Sequence, residues 1–65
     1  MDKYEIGKTI CEEILSYHNF NDYDELIKFI SDALNIKSEK IRNILGELLA
    51  KGTIYKDKNG FFRCI

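Results

Sequence analysis

The stretch that decides the fold is Ile30-Ser31-Asp32-Ala33-Leu34-Asn35-Ile36-Lys37-Ser38-Glu39-Lys40-Ile41-Arg42-Asn43-Ile44. Its apolar residues keep a helical spacing up to Leu34 and resume that spacing at Ile41. Asn35 breaks the pattern, and Asn tolerates left-handed backbone angles better than a branched residue does, so it suits the C-cap of a helix. Ser38 can cap the helix that follows. The stretch therefore predicts two helices joined by a short turn.

Outward from this stretch, helical spacing predicts three helices, over about residues 4–18, 24–34 and 38–51. The first carries apolar side chains on one face from Ile6 to Tyr17. Asp24 is a suitable N-cap for the second, because its carboxylate can accept hydrogen bonds from free backbone N–H groups. The third is expected to end at Gly52.

After the third helix the period of the apolar residues changes to two. Runs rich in β-branched and aromatic residues predict strands over about 53–57 and 61–65. The intervening Lys58-Asn59-Gly60 contains Asn-Gly, which is a strong hairpin signal. The sequence therefore predicts a C-terminal two-stranded β-hairpin.

Two registers of this hairpin remain open. A three-residue loop with Gly60 left-handed puts Ile54 and Phe62 on one face, whereas a two-residue loop pairs Tyr55 with Cys64. The first is favoured, because it turns Ile54 and Phe62 towards the helices. The expected core then comprises Ile10, Ile14, Ile30, Leu34, Ile36, Ile41, Leu45, Leu48, Ile54 and Phe62.

Length and composition limit the chain to one small domain over residues 1–65. A hydrophobic content of 45% excludes a disordered tail. No apolar run exceeds three residues, so neither a membrane span nor a signal-peptide core is expected. These features favour a cytoplasmic module of the α+β class, mostly α.

Residues that carry chemistry are few. His18 has no nucleophile or acid implied beside it, so no enzyme is expected. One histidine and two cysteines are too few donors for a four-ligand zinc site, so neither a metal nor another cofactor is expected. Cys11 and Cys64 fall on faces predicted to be buried. A bridge between them would tie the first element to the last, but reduced thiols are favoured in a reducing cytosol.

Charge is divided unevenly along the chain. Residues 1–34 hold three lysines and eight carboxylates, whereas residues 35–65 hold seven cationic side chains and three carboxylates. A small domain polarised in this way can present a positive face to a polyanion despite its net charge of −1. Chance clustering of charges on solvated faces explains the asymmetry equally well.

The order of elements resembles the winged helix-turn-helix family. Such proteins carry a small residue where two helices cross, here Ser31, and four residues later one that tolerates positive φ, here Asn35. Five apolar positions also match, at Ile30, Leu34, Ile36, Ile41 and Ile44. The departures are Lys37, where many relatives have a capping Ser or Thr, and the first strand, which has room for only one or two residues around Tyr23.

The resemblance implies sequence-directed binding of double-stranded DNA by a small transcriptional regulator. The third helix, 38–51, would enter the major groove, and the wing, 56–60, would touch the DNA backbone. The implied base-reading residues are Ser38, Glu39, Arg42 and Asn43. The implied phosphate contacts are Lys37, Lys40, Lys56, Lys58 and Arg63.

Other interpretations stand beside this one. For Arg42 and Asn43 the alternative is an ordinary solvated helix face. For the whole chain it is a winged helix used as a protein-interaction module within a larger assembly. A homodimer through the first helix is also expected, with the aromatic residues Tyr4, Tyr17, Phe20 and Tyr23 as its surface.

Overall fold

The computed structural model describes residues 2–17 and 20–65, and of Tyr17 only the backbone. Three helices precede a two-stranded antiparallel sheet. The predicted fold class, α+β and mostly α with a C-terminal hairpin, is confirmed. The elements are α1 (Lys3–Tyr17), α2 (Tyr23–Leu34), α3 (Ser38–Lys51), β1 (Ile54–Lys56) and β2 (Phe62–Cys64).

The element bounds agree with the predictions to within one residue. Helix α1 begins at Lys3 because Asp2 caps it, its carboxylate accepting from the Glu5 amide at 2.9 Å. His18, placed at the end of this helix by the sequence prediction, lies outside the described residues. The strands are shorter than predicted, although backbone hydrogen bonds between Asp57 and Phe61 and between Thr53 and Ile65 flank them.

Both predicted N-caps are wrong by one or two residues. Asp22, not Asp24, caps α2, and its carboxylate accepts from the Asp24 amide at 2.9 Å. Asp24 itself is already helical. Lys37, not Ser38, precedes α3 and offers no side-chain cap. Ser38 is drawn into another contact, since its hydroxyl donates to Ser31 Oγ at 3.3 Å.

The turn between α2 and α3 forms as the sequence predicts. Asn35 is left-handed, with φ 54° and ψ 47°. The Ser31 carbonyl accepts from the amides of Asn35 and Ile36, and the Ser31 hydroxyl donates to the Ile36 carbonyl. Ser31 therefore holds both ends of the turn, which explains why a polar residue suits the helix crossing here.

The hairpin adopts the favoured register. Ile54 pairs with Cys64 and Lys56 with Phe62, and Gly60 is left-handed with φ 86°. The alternative pairing of Tyr55 with Cys64 is wrong, because Tyr55 pairs with Arg63. The three-residue loop closes on Asp57, whose carboxylate accepts from the amides of Asn59 at 2.8 Å and Phe61 at 3.0 Å. Chiefly the Phe61 bond holds the pKa of this carboxyl below its ordinary value, despite some desolvation.

One apolar core lies between the helices and the inner face of the hairpin. Helix α3 packs against α1, α2 and β1, and β2 packs against α1. The buried side chains are Ile6, Ile10, Ile14, Phe20, Leu26, Ile27, Ile30, Ile41, Ile44, Leu45, Ile54 and Phe62.

Three residues predicted for the core are only half-buried: Leu34, Ile36 and Leu48. Leu34 and Ile36 flank the solvent-exposed turn at Asn35, and Leu48 lines a groove between α1 and α3. All three pack against the edge of the core.

The loop before α2 joins the sheet at one point. The Phe62 amide donates to the Phe20 carbonyl at 2.8 Å, on the side of β2 opposite β1. The sequence predicts the short first strand around Tyr23, but Tyr23 is the first residue of α2. Phe20 is buried and Tyr23 is half-buried. Neither is therefore an exposed aromatic residue of the kind that the predicted dimer surface requires. No helix of the described residues is long and apolar enough to cross a membrane.

Candidate nucleic-acid interface

The outward face of α3 carries the side chains predicted to read bases. Because Ile41, Ile44 and Leu45 point into the core, the helix turns its other residues to solvent. The exposed set contains all four predicted base-reading residues, Ser38, Glu39, Arg42 and Asn43, together with Lys40 and Gly46. This face, residues 38–40, 42, 43 and 46, is called the α3 face below.

Arg42 is held against the start of α2. Its Nη2 lies 3.3 Å from Asp24 Oδ1, and its guanidinium carbon lies 5.8 Å from the centre of the Tyr23 ring. The Tyr23 hydroxyl also donates to the Arg42 carbonyl at 3.4 Å. These contacts fix the guanidinium at the junction of α2 and α3 while about half of the side chain stays exposed.

Two carboxylates accompany the cations of α3. Glu47, in the C-terminal half of α3, lies 2.6 Å from Lys3 of α1. This ion pair neutralises the charge of Glu47. Glu39 lies on the α3 face in the first turn of the helix and makes no ion pair with any described residue. Glu39 therefore remains as a negative group among the predicted base-reading residues, where an acceptor for a cytosine amino group can act.

The five predicted phosphate contacts fall into two groups. Lys37, Lys40, Lys56 and Lys58 are exposed. Lys56 also places its ammonium 5.1 Å from the centre of the Phe62 ring. Arg63 is only half-exposed, because its Nε lies 3.2 Å from Asp57 Oδ2 and its guanidinium lies over the Phe61 ring. Arg63 thus contributes to the structure of the wing, and its charge is neutralised.

Sequence reasoning missed the residues that position Arg42. Asp24 was interpreted as a helix cap and Tyr23 as a strand residue, whereas both contact Arg42. Nothing in the local pattern could have revealed this, since the partners lie 18 and 19 residues away along the chain. Only the packing of α2 on α3 brings them together.

No protein-family model matches the chain, and comparisons with curated proteins and with solved structures give no match either.

Proposed function

We propose that the protein binds double-stranded DNA in a sequence-directed way, with α3 in the major groove and wing residues 56–60 on the DNA backbone. The observation that carries the proposal is the exposed α3 face behind the turn at Asn35. The second helix of a helix-turn-helix enters the major groove, and its N-terminal residues contact base edges. The base-reading candidates Ser38, Glu39, Arg42 and Asn43 occupy that half of α3 and are exposed.

The chemistry of these side chains suits base recognition. Arg donates two hydrogen bonds to the edge of guanine, and Asn pairs bidentately with adenine. In the free protein the Arg42 guanidinium pairs with Asp24. An exposed ion pair of this kind contributes about 0–1 kcal/mol, whereas a good bidentate base contact is worth about 1–3 kcal/mol. Exchange of Asp24 for a guanine edge is therefore favourable.

Lysines within and beside the α3 face supply the attraction to phosphate. Lys37 and Lys40 lie at the start of α3, and Lys56 and Lys58 lie on the wing. All four are exposed and none forms an ion pair with a described residue. Their contribution is independent of base sequence and falls as salt rises. Arg63 is a weaker candidate, because Asp57 already neutralises it.

The proposed role is that of a small transcriptional regulator in the cytoplasm, acting as a homodimer. Tyr4 and Leu15 support the dimer: they are 80% and 64% exposed and lie eleven residues apart, on the same face of α1. Two copies would place their recognition helices about one helical turn of DNA apart. Sedimentation at high micromolar protein tests this, and a monomer with and without DNA would remove the dimer from the proposal.

The experiment separates base reading from phosphate contact. A preferred duplex is first selected from a random pool, and binding to it and to a scrambled duplex is then measured at several salt concentrations. Arg42→Ala should cost about 1–3 kcal/mol on the preferred duplex and relax the preference there. Lys58→Ala should weaken binding to both duplexes alike and lower the salt slope by about one unit.

Lys8→Ala is the matched control, because Lys8 is an exposed lysine of α1 that lines the groove beside the C-terminal half of α3, whereas the base-reading candidates lie in the N-terminal half. It should leave affinity and salt slope almost unchanged. If Arg42→Ala leaves binding to every duplex unchanged, the α3 face does not read bases. The exposed apolar residues Tyr4, Leu15, Tyr55 and Ile65 would then favour the protein-interaction module.

A further inference from the structure

The fold brings the two cysteines of the chain into contact. Cys11 lies in α1, and Cys64 is the last residue of β2, 53 positions further along the chain. The Cys64 thiol donates to the Cys11 sulfur, and the two sulfur atoms lie 2.6 Å apart. Both side chains are half-buried, which differs from the full burial that the sequence predicted. The two thiols are therefore in contact because of the tertiary structure and not because they are close in sequence.

Both elements are fixed around this contact. In α1, the neighbouring Ile10 and Ile14 are buried in the core. In β2, Cys64 lies opposite Ile54, and the next residue, Ile65, donates its amide to the Thr53 carbonyl at 3.0 Å. Two thiols held in this way by ordered elements have a much higher effective concentration than the same thiols in an unfolded chain.

The two sulfurs differ in their surroundings. Cys11 lines a groove of about 690 Å³ between α1 and α3, which also contains Lys3, Lys8, Lys51 and Glu47. Glu47 pairs with Lys3, so Lys8 and Lys51 give the groove its net positive charge. A small anionic molecule can therefore approach the Cys11 sulfur with favourable electrostatics. Burial, and then the contact with Cys11, raises the pKa of the Cys64 thiol to about 12. Cys64 is not among the residues that line the groove, so it reacts second.

We propose that Cys11 and Cys64 form a reversible intramolecular disulfide by exchange with a low-molecular-weight disulfide of the glutathione type. The Cys11 thiolate attacks one sulfur of oxidised glutathione, the S–S bond breaks, and one glutathione thiolate leaves. Cys64 then loses its proton and attacks the Cys11 sulfur, releasing the second glutathione thiolate. Two protein thiols are oxidised, one glutathione disulfide is reduced, and the two protons pass to the two glutathione thiolates. The proposal is independent of DNA binding.

The test uses the whole chain in glutathione redox buffers. Samples are equilibrated with and without concentrated urea, quenched with acid, alkylated and weighed by intact mass spectrometry. A monomer lacking two hydrogen atoms should form, and its equilibrium constant should be about 10³-fold larger in the folded chain, as expected for a loop of this length. A ratio near one, persistent mixed disulfides or a majority of disulfide-linked dimers would overturn the proposal.

Two variants test the order of reaction. Cys64→Ser should trap a mixed disulfide between glutathione and Cys11. Cys11→Ser should react with oxidised glutathione several-fold more slowly, because Cys64 does not line the groove. The opposite order of rates would show that Cys64 is the entry thiol and would contradict the assigned pathway. Since the equilibrium measurement uses the wild-type chain, it stands even if a variant folds poorly.

Discussion

Asn35 adopts the unfavourable backbone conformation that the turn between α2 and α3 requires. Its φ of 54° lies in the left-handed region, where a residue with a Cβ is strained and Asn is strained less than most. The end of α2 depends on this angle, because the left-handed conformation of Asn35 brings the Ile36 amide to 3.2 Å from the Ser31 carbonyl, five residues earlier. A single residue thus determines how α3 leaves α2.

We expect Asn35→Ala to lower the free energy of unfolding by about 1 kcal/mol, because Ala is less tolerant of the left-handed conformation. Asn35→Gly should be neutral or stabilising, since Gly adopts it without strain. Urea denaturation measures both. Asn43→Ala is the matched control: Asn43 is exposed within α3, where Ala is the better helix former, so it should not destabilise. Equal losses for Asn35→Ala and Asn35→Gly would show that the angle is not what matters.

At the scale of the element, the wing depends on one carboxylate. Asp57 accepts from two amides of the loop and pairs with Arg63 of β2. It therefore holds the loop in its conformation and links the loop to β2. Because these contacts favour the ionised form, the pKa of Asp57 is lower in the folded chain than in the unfolded chain. The stabilisation from Asp57 is therefore complete above the unfolded pKa and is lost as pH falls through the folded pKa.

We expect the difference in unfolding free energy between wild type and Asp57→Asn to be constant at neutral pH. It should change below about pH 4, as the stabilisation by the charge of Asp57 is lost, and become constant again once the folded carboxyl is protonated. The other carboxylates titrate in both proteins, so their contribution to the unfolding free energy cancels in this difference. Chemical denaturation across this range measures it, and the amide resonances of Asn59 and Phe61 should shift over the same pH range. A difference that does not change with pH would mean that the charge of Asp57 plays no part.

At the scale of the whole molecule, stability rests on a core of few side chains. Ile41 is 0% exposed and lies where α3 packs into that core. We expect Ile41→Ala to cost about 2–5 kcal/mol, which is comparable to much of the total stability of a small domain. Leu48→Ala should cost less, because Leu48 is half-buried beside the groove. Thermal and urea unfolding measure both. Equal losses of unfolding free energy would show that the burial of a side chain does not determine which substitution is more destabilising.

Local signals in the sequence predicted much of this fold. Asn35 and Gly52 act through their own backbone angles, and the hairpin register follows from the alternation of Ile54 and Phe62. Features that depend on distant neighbours were not predictable in this way. Ser38 contacts Ser31 instead of capping α3, and the Arg42 pair exists only because α2 packs on α3.

The bond between Phe20 and Phe62 determines which edge of the sheet is open. Since Phe20 covers the far side of β2, β2 is the inner strand and β1 is left at the edge within the described residues. Antiparallel alternation directs the amides of Ile54 and Lys56 outwards, away from β2. An open edge can recruit strands from other molecules and start aggregation, but this one spans three residues and ends in a charged lysine. The lysine that serves DNA binding in our proposal would therefore also protect the protein from forming fibrils.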